Sequence, residues 1–335
     1  MLSIWTVALL SLPSPGEVPA VTGWLAVLVA GLACCGAWFA RGTTAVPAAW
    51  WAVTAALAVA ADAFGQQGGG QSPSVMAAAR VVVAALSVCP IMALLGAKRP
   101  QHGVWQLIVA TLAVVLALPA VTATLIRPGS FPDLHLLARW FLPILMLVGW
   151  MNFIGTRRWL AVSLITAGQF GLLWPLLPGV DLAAAVPQPG IDLAAMAAVA
   201  AGGLLALGQT VLAGGRPRGR RAAEHLVPDQ RSLAKRVDGC FLPLRETLGA
   251  AWALRLAERF DTLAAQRGWP ARLTFRGFEQ GGDPTDASWH RDAARAAEAL
   301  FRRFVSSGWL RRHGWWEADE AEASEPADVS PETNS

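Results

Sequence analysis

Apolar residues fall into seven long stretches in the first two thirds of the chain. Each stretch approaches the length of about 20 mostly apolar residues that a helix needs to cross a membrane. Short loops with Pro, Gly or charged residues separate the stretches. The pattern predicts seven transmembrane helices. Their ranges are 20–40, 45–64, 74–96, 103–126, 136–154, 158–178 and 192–213.

Beyond residue 240 the apolar positions follow the patterns of a soluble domain. Leu244, Leu248, Trp252 and later apolar residues recur at helical spacing and predict a helix over 244–267. The alternating segment "ARLTFRGF" predicts a strand, a second helix is expected over 287–306, and "WLRRHGWW" is a candidate second strand. The predicted fold is therefore mainly α: a polytopic transmembrane bundle of seven helices followed by a small α+β domain.

The distribution of charge separates the chain into parts. Residues 1–215 carry eight Lys or Arg and five Asp or Glu, and residues 216–316 carry nineteen and eleven; residues 317–335 carry seven acids and no base. Acid-rich segments with few apolar residues remain disordered. The predicted organisation is an interfacial segment (1–19), a transmembrane domain (20–215), a basic juxtamembrane linker (216–240), a cytoplasmic α+β domain (241–316) and a disordered acidic tail (317–335).

Residues 1–19 allow a second interpretation. The apolar run "IWTVALLSL" is too short to span a membrane but is similar to the core of a signal peptide, and "VPA" is similar to a cleavage site. Pro13 and Pro15 interrupt the run and no positive charge precedes it, which favours an interfacial segment. Both interpretations place the start of the chain outside.

The positions of Lys and Arg predict which side of the membrane each loop faces. These residues accumulate in cytoplasmic loops. In a seven-span bundle Arg41, the Lys98–Arg99 turn, the Arg157–Arg158 turn and the cluster "RPRGRR" share one side, so the C-terminal domain is expected in the cytoplasm. Eight tryptophans lie near predicted span ends, the depth that indole prefers: Trp24, Trp38, Trp50, Trp51, Trp105, Trp140, Trp159 and Trp174.

Three ionisable side chains near the outer ends of the spans are the candidate binding residues. Charged groups within spans are costly and commonly functional, and Asp62, Arg80 and Arg139 fall at a similar predicted depth. One interpretation is an outward-facing vestibule that binds a small anion or a proton. In the other, both arginines extend to the lipid headgroups and Asp62 lies in the interface.

Two further sets of polar residues have predicted roles. The amides Asn152, Gln169 and Gln209 lie within spans and are expected to hydrogen-bond between helices. Four arginines after the last span are expected to contact anionic lipid headgroups. They are Arg216, Arg218, Arg220 and Arg221.

The sequence contains no recognisable pattern of an enzyme or a metal site. There is no GxxxxGK[ST], GxSxG, HExxH or CxxC motif, and the five histidines have no ligand-like spacing. No catalytic residue, cofactor or metal is predicted. The leading hypothesis is a non-enzymatic membrane protein whose cytoplasmic domain anchors or recruits a partner; the alternative is a transporter or sensor of a small anion. The expected partners are membrane lipids and a cytoplasmic protein or a second copy of the chain, with no nucleic acid.

Segments in both halves of the chain carry a family resemblance. The first half contains "LGAKRPQHGVW" at 95–105 and "LALPA" at 116–120. The second contains "AAWALRLAERFDTLAAQRGWPARLTFRGF" at 250–278 and "LFRRFVSSGWL" at 300–310. These segments resemble a hairpin and a soluble end that recur in a family of uncharacterised bacterial multi-pass membrane proteins. The resemblance implies a two-part protein of a bacterial inner membrane, and it implies no activity, cofactor or site residue.

Overall fold

The structure is a computed structural model in which the chain forms two units. One unit comprises Met1–Arg216 with Leu248–Ala250, and the other comprises Pro217–Thr247 with Ala251–Ser335. The N-terminal twelve residues, the arginine cluster at 216–221 and the acidic tail, for which the sequence makes predictions, lie outside the described residues. The described residues are 13–14, 16–68, 70–98, 102–180, 188–214, 228–281 and 288–315.

The first unit contains eight helices within its described residues. Pro occupies the first turn of several of them, where its missing N–H costs no helical hydrogen bond. A π-helical turn, Thr122–Ile126, extends α5, and a 3-10 turn, Trp174–Leu176, extends α7. The helices are α1 (Val18–Phe39), α2 (Val46–Gln67), α3 (Pro73–Ser87), α4 (Cys89–Leu95), α5 (His102–Val121), α6 (Leu136–Met151), α7 (Trp159–Leu173) and α8 (Pro189–Gly214).

Within the part of this unit that the structure describes, six apolar helices have the length and composition of membrane spans, counting α3 with α4 and the extended α5 and α7 as one each. They are Val18–Phe39, Val46–Gln67, Pro73–Leu95, Gly103–Ile126, Trp159–Leu176 and Pro189–Leu212. These helices indicate a multi-pass membrane protein. The predicted fifth span, 136–154, forms the shorter apolar helix α6, whose 16 residues extend about 24 Å.

The outer surface of the first unit is apolar. Every exposed large hydrophobic side chain among the described residues, except Leu254, lies between Val21 and Leu212. Six of the eight tryptophans expected near span ends are more than half exposed, which fits side chains that contact lipid at the membrane surface. They are Trp24, Trp38, Trp50, Trp140, Trp159 and Trp174.

Small residues allow close packing between α7 and α8. A methyl group added at Gly202 would lie 2.7 Å from the carbonyl oxygen of Ala161, and one added at Gly171 would lie 2.9 Å from Cβ of Ala195. Glycine therefore lets the two backbones approach closely, as in other membrane helix pairs. This contact holds α8 beside α7, and α8 also packs against α1.

The second unit is a small α+β domain. Its antiparallel hairpin pairs Leu273 with Phe278, and side chains such as Phe260, Phe301 and Trp315 are fully buried. Its elements are α9 (Pro228–Leu248), α10 (Ala250–Arg267), β1 (Ala271–Thr274), β2 (Gly277–Gln280), α11 (His290–Phe301) and α12 (Ser307–Arg312).

Several secondary-structure predictions for the second unit were wrong. The helix predicted over 244–267 is two helices, because Gly249 has φ +86° and ends α9. Helix α9 begins at Pro228 and runs through the second half of the predicted linker. The segment "ARLTFRGF" is a two-stranded hairpin, since residues 275–276 form a turn before Gly277 at φ +141°.

The last two predicted elements also differ from the structure. The helix predicted over 287–306 spans only His290–Phe301, and a turn follows it at 302–304. The candidate strand "WLRRHGWW" begins within helix α12 instead. The side chain of Ser306 accepts a hydrogen bond from the backbone N–H of Trp309 and caps this helix.

Candidate functional site

Asp62, Arg80 and Asp192 form a buried ionic network in the first unit. Nε of Arg80 lies 2.7 Å from Oδ2 of Asp62. Nη1 of Arg80 donates to Oδ1 of Asp192 at 2.8 Å, and Nη2 donates to Oδ2 of the same carboxylate. Two parallel bonds between guanidinium and carboxylate are a strong and geometrically specific pairing. We call these three residues the outer network.

Three helices bring the outer network together near their ends. Asp62 lies five residues before the end of α2 at Gln67, Arg80 lies in the second turn of α3, and Asp192 lies in the first turn of α8. At 1.5 Å per residue, each position is about 5–10 Å from its helix end. The short loop between α2 and α3 explains the first pairing, whereas Asp192 is 112 residues from Arg80.

The outer network carries two carboxylates and one guanidinium. The side chains of Asp62, Arg80 and Asp192 are only 6%, 9% and 10% exposed. With both acids ionised the network has a net charge of −1. The dipole of α8 favours a negative charge at Asp192, in the first turn, and Nη1 of Arg80 also lies 3.5 Å from the carbonyl oxygen of Leu172.

A small cavity adjoins the outer network. Its volume is about 10 Å³, enough for roughly one water molecule. Besides the three charged residues, it is lined by Gln66, Thr22 and apolar residues of α1, α2, α3, α7 and α8. Gln66 donates from Nε2 to Oδ2 of Asp62 at 3.2 Å.

Arg139 does not join the outer network, although the sequence grouped it with Asp62 and Arg80. Its guanidinium donates to backbone carbonyls at the end of α7: Nε to Leu176 at 3.3 Å, Nη2 to Leu177 at 2.5 Å, and Nη2 also to Val180. Carbonyls at a helix C-terminus lack helical donors and attract a positive charge. Arg139 therefore caps the α7 end.

The three candidate amides lie in different environments. Gln169 donates to the carbonyl of Ser87 at 3.2 Å, where α3 is interrupted before Pro90. Asn152 is buried after α6 and donates from Nδ2 to the carbonyl of Leu248, a residue of the same unit, at 3.0 Å. Oε1 of Gln209 is buried and accepts no hydrogen bond from the described residues. Gln169 is thus the amide that links two spans.

Asp192 is the member of the outer network that sequence reasoning missed. It is one of only five acids in residues 1–215, and it stands at the start of the seventh predicted span. Its place at the start of that span, which the predicted topology puts on the same side as Asp62 and Arg80, was the available signal. Span order alone could not show that α8 lies against α3.

Two carboxylates hold the hairpin of the second unit. Asp238 on α9 accepts a hydrogen bond from the N–H of Phe278 at 2.7 Å, and Asp261 on α10 accepts one from Leu273 at 2.7 Å. Burial raises the pKa of Asp238 to about 6, against the lowering effects of the Phe278 N–H and Arg245. Leu273 and Phe278 are paired residues, so both strand edges are occupied by acceptors, which protects them from further strand pairing.

The described residues contain no group of three or more His, Cys, Asp and Glu side chains that could hold a metal ion. The outer network therefore stands out as the candidate site, since it combines buried charge with a cavity. Comparison of the chain with protein families, curated proteins and solved structures finds no significant match.

Proposed function

We propose that this protein is a transporter or sensor of a small monovalent cation, a metal ion or a proton, which binds at the outer network. The observation that carries the proposal is the burial of two carboxylates with a single guanidinium beside a cavity, which gives a net charge of −1 when both acids are ionised. An uncompensated charge is costly within a membrane protein. A bound cation would neutralise the network, which gives the site a reason to bind one.

The same charge balance makes an anion a poorer ligand than the sequence suggested. Among the described residues, Arg80 is the only cationic side chain that lines the cavity, and two carboxylates already surround it. Arg139, the other positive charge of the expected vestibule, donates to carbonyls at the end of α7. An incoming anion would meet two like charges and no free guanidinium.

We also propose seven crossings of a bacterial inner membrane, the location that the family resemblance implies. Helix α6 would make the one crossing that the six long apolar helices do not, and its contacts support this. Arg139 near its start contacts the end of α7, and Trp150 near its end donates to Ser163 near the start of α7 at 2.8 Å. These contacts make α6 antiparallel to α7. Helix α6 therefore runs from the end of the bundle that holds the outer network to the opposite end.

The basic loops support an orientation with the N-terminus outside and the second unit in the cytoplasm. The hydroxyl of Thr44, in the loop that carries Arg41, donates to the carbonyl of Ala97, beside Lys98, at 2.9 Å. Two loops that carry positive charge thus share one end of the bundle, opposite the outer network. Positive charge favours the cytoplasmic side, which leaves the outer network facing outside.

Reporter fusions test the topology. Alkaline phosphatase fused after residue 130 should be active and the same enzyme fused after residue 155 inactive, because α6 separates these positions. Equal activity at both sites would contradict a crossing by α6.

Cation binding is tested with the purified full chain in proteoliposomes. Tryptophan fluorescence should respond saturably to external NaCl or to external pH, and Asp62→Asn should remove the response. The control is Asp133→Asn, since Asp133 is an exposed acid in the loop before α6. A wild-type protein that responds to neither ion, or an Asp62→Asn protein that responds fully, would refute the cation site.

A second candidate function is recruitment of an anionic partner by the second unit. Residues 233–281 and 288–315 contain fourteen Lys or Arg and seven Asp or Glu, and their exposed large hydrophobic residue is Leu254 alone. Such a surface favours electrostatic over hydrophobic contacts. A stoichiometric partner should co-purify from gently solubilised membranes at low salt and be lost at high salt, where charges are screened; repeated recovery of the chain alone would count against recruitment.

A further inference from the structure

We infer that the ligand of the outer network is a proton and that Asp62 is the residue that accepts it. The inference rests on the proposed function and names its ligand. Arg80 and Asp192 form the fixed part of the network, and Asp62 is the exchangeable part.

The two carboxylates are held unequally. Both oxygens of Asp192 accept hydrogen bonds from separate guanidinium nitrogens of Arg80, and Asp192 also lies at a helix N-terminus, where negative charge is favoured. Asp62 contacts the guanidinium through Oδ2 alone. Within the described part of the chain, no hydrogen bond reaches its Oδ1. A proton on Asp62 therefore sacrifices fewer interactions than a proton on Asp192.

The surroundings suit a proton better than a metal cation. Calcium and magnesium ions collect about six or more oxygen ligands, and a monovalent metal ion also needs several. The side chains at the cavity offer few: Asp62, Gln66 and Thr22, besides an Asp192 already paired with Arg80. A cavity of about 10 Å³ holds roughly one water molecule, so water within it adds few further ligands. A proton needs a single oxygen lone pair.

The proposed step is a simple proton transfer. A hydronium ion from the outer water gives its proton to Oδ1 of Asp62, an O–H bond forms, and a water molecule is released. The network changes from −1 to neutral, and the attraction between Asp62 and Arg80 weakens while the pairing of Arg80 with Asp192 remains. The contact between α2 and α3 is therefore the one that protonation loosens.

The groups that face Asp62 are few. Arg80 on α3 favours its ionised form, and Asp192 on α8 opposes it. Gln66 on the same helix donates to Oδ2. The α1 side of the cavity contributes the hydroxyl of Thr22, and α7 contributes Leu172.

Infrared difference spectroscopy of the full chain in lipid tests the assignment. Lowering the external pH should produce the C=O stretching band of a protonated carboxylic acid. We expect loss of this band in Asp62→Asn and its retention in the exposed control Asp133→Asn. In Gln66→Leu the band should persist but shift in frequency, because a neighbour of Asp62 has changed; this variant leaves every charge of the network in place.

The other outcomes are distinguishable. A band that persists in Asp62→Asn and disappears in Asp192→Asn would overturn the inference; the cation site would stand only if Asp62→Asn still lost the fluorescence response. A fluorescence response to NaCl without any titrating carboxyl band would show that the ligand is a metal cation and not a proton. A protein that gives neither the band nor a fluorescence response refutes the inference together with the proposed function.

Discussion

Removing the charge of Arg80 should destabilise the membrane unit strongly. Arg80→Gln leaves Asp62 and Asp192 buried without a counter-charge, and both side chains are 10% exposed or less. Breaking a buried ion pair by removing one partner costs about 3–5 kcal/mol. Native proteins are stable by only about 5–15 kcal/mol, so the change is a large fraction of the total.

We attribute the expected loss of stability in Arg80→Gln to unpaired charge. A triple variant separates this cause from lost packing. Arg80→Gln combined with Asp62→Asn and Asp192→Asn removes all three charges, and the smaller Gln side chain is common to the single and the triple variant. The penalty for an uncompensated buried charge is therefore absent from the triple variant, while the loss of packing at residue 80 is the same in both. We therefore expect the triple variant to recover most of the stability that Arg80→Gln loses.

The assay is equilibrium unfolding of the full chain in mixed micelles of mild detergent and SDS, followed by circular dichroism. The matched control is Arg127→Gln, because Arg127 is exposed in the loop after α5; a surface change of this kind alters stability by about 0.5 kcal/mol or less. If Arg80→Gln unfolds like Arg127→Gln, or if the triple variant is less stable than Arg80→Gln, the reasoning is refuted.

Three further predictions concern both units. Arg139→Ala should lower the free energy of unfolding in the same micelles by about 2–3 kcal/mol, since it removes charged donors from three carbonyls; loss below 1 kcal/mol would contradict the capping role. Asp238 has a folded pKa of about 6 against an ordinary 3.8, so its contribution to stability is complete below about pH 3.8 and declines as the pH rises through 6. The hydrogen-exchange protection of the Phe278 N–H should fall over the same pH range. In Asp238→Asn this pH-dependent part of the protection should be absent. Gly277→Ala should lower the same protection by about 1–3 kcal/mol, because its Cβ would lie 2.8 Å from Oδ1 of Asp238 at φ +141°, whereas Gly308→Ala, with open space around it, should not.

The proximity of Asp62 and Arg80 could be inferred from the sequence, because the chain itself keeps these residues together. Asp62 and Arg80 flank one short loop, and the end of α2 and the start of α3 must share one end of the bundle. Arg139 lies at the same end of the bundle but caps α7. Its distance from Arg80 depends on the order of the helices around the bundle, which the sequence does not show. Asp192 stands at the start of the last predicted span, but nothing in the sequence pairs it with Arg80.

Predictions in the second unit failed at single positions. The spacing of apolar residues continues through Gly249 and through residues 275–276, so the pattern gave no sign of a helix break or a turn there. The positive φ values of Gly249 and Gly277 are backbone choices that periodicity does not report. Ser306 had the chemistry of a helix cap, but the segment "WLRRHGWW" after it was predicted as a candidate strand.

The sequence by itself determined the parts of this protein that depend on local composition: the six long apolar helices, the tryptophans at their ends, and the division between an apolar and a charged half. Transfer of about 20 apolar residues into lipid is favourable whatever their neighbours are, so each such segment can be predicted independently of the others. Only the tertiary structure decided that α8 lies against α7 and α1 and brings Asp192 to Arg80. That choice depends on how helices rotate and pack through small residues such as Gly171 and Gly202, and it involves contacts between positions more than a hundred residues apart.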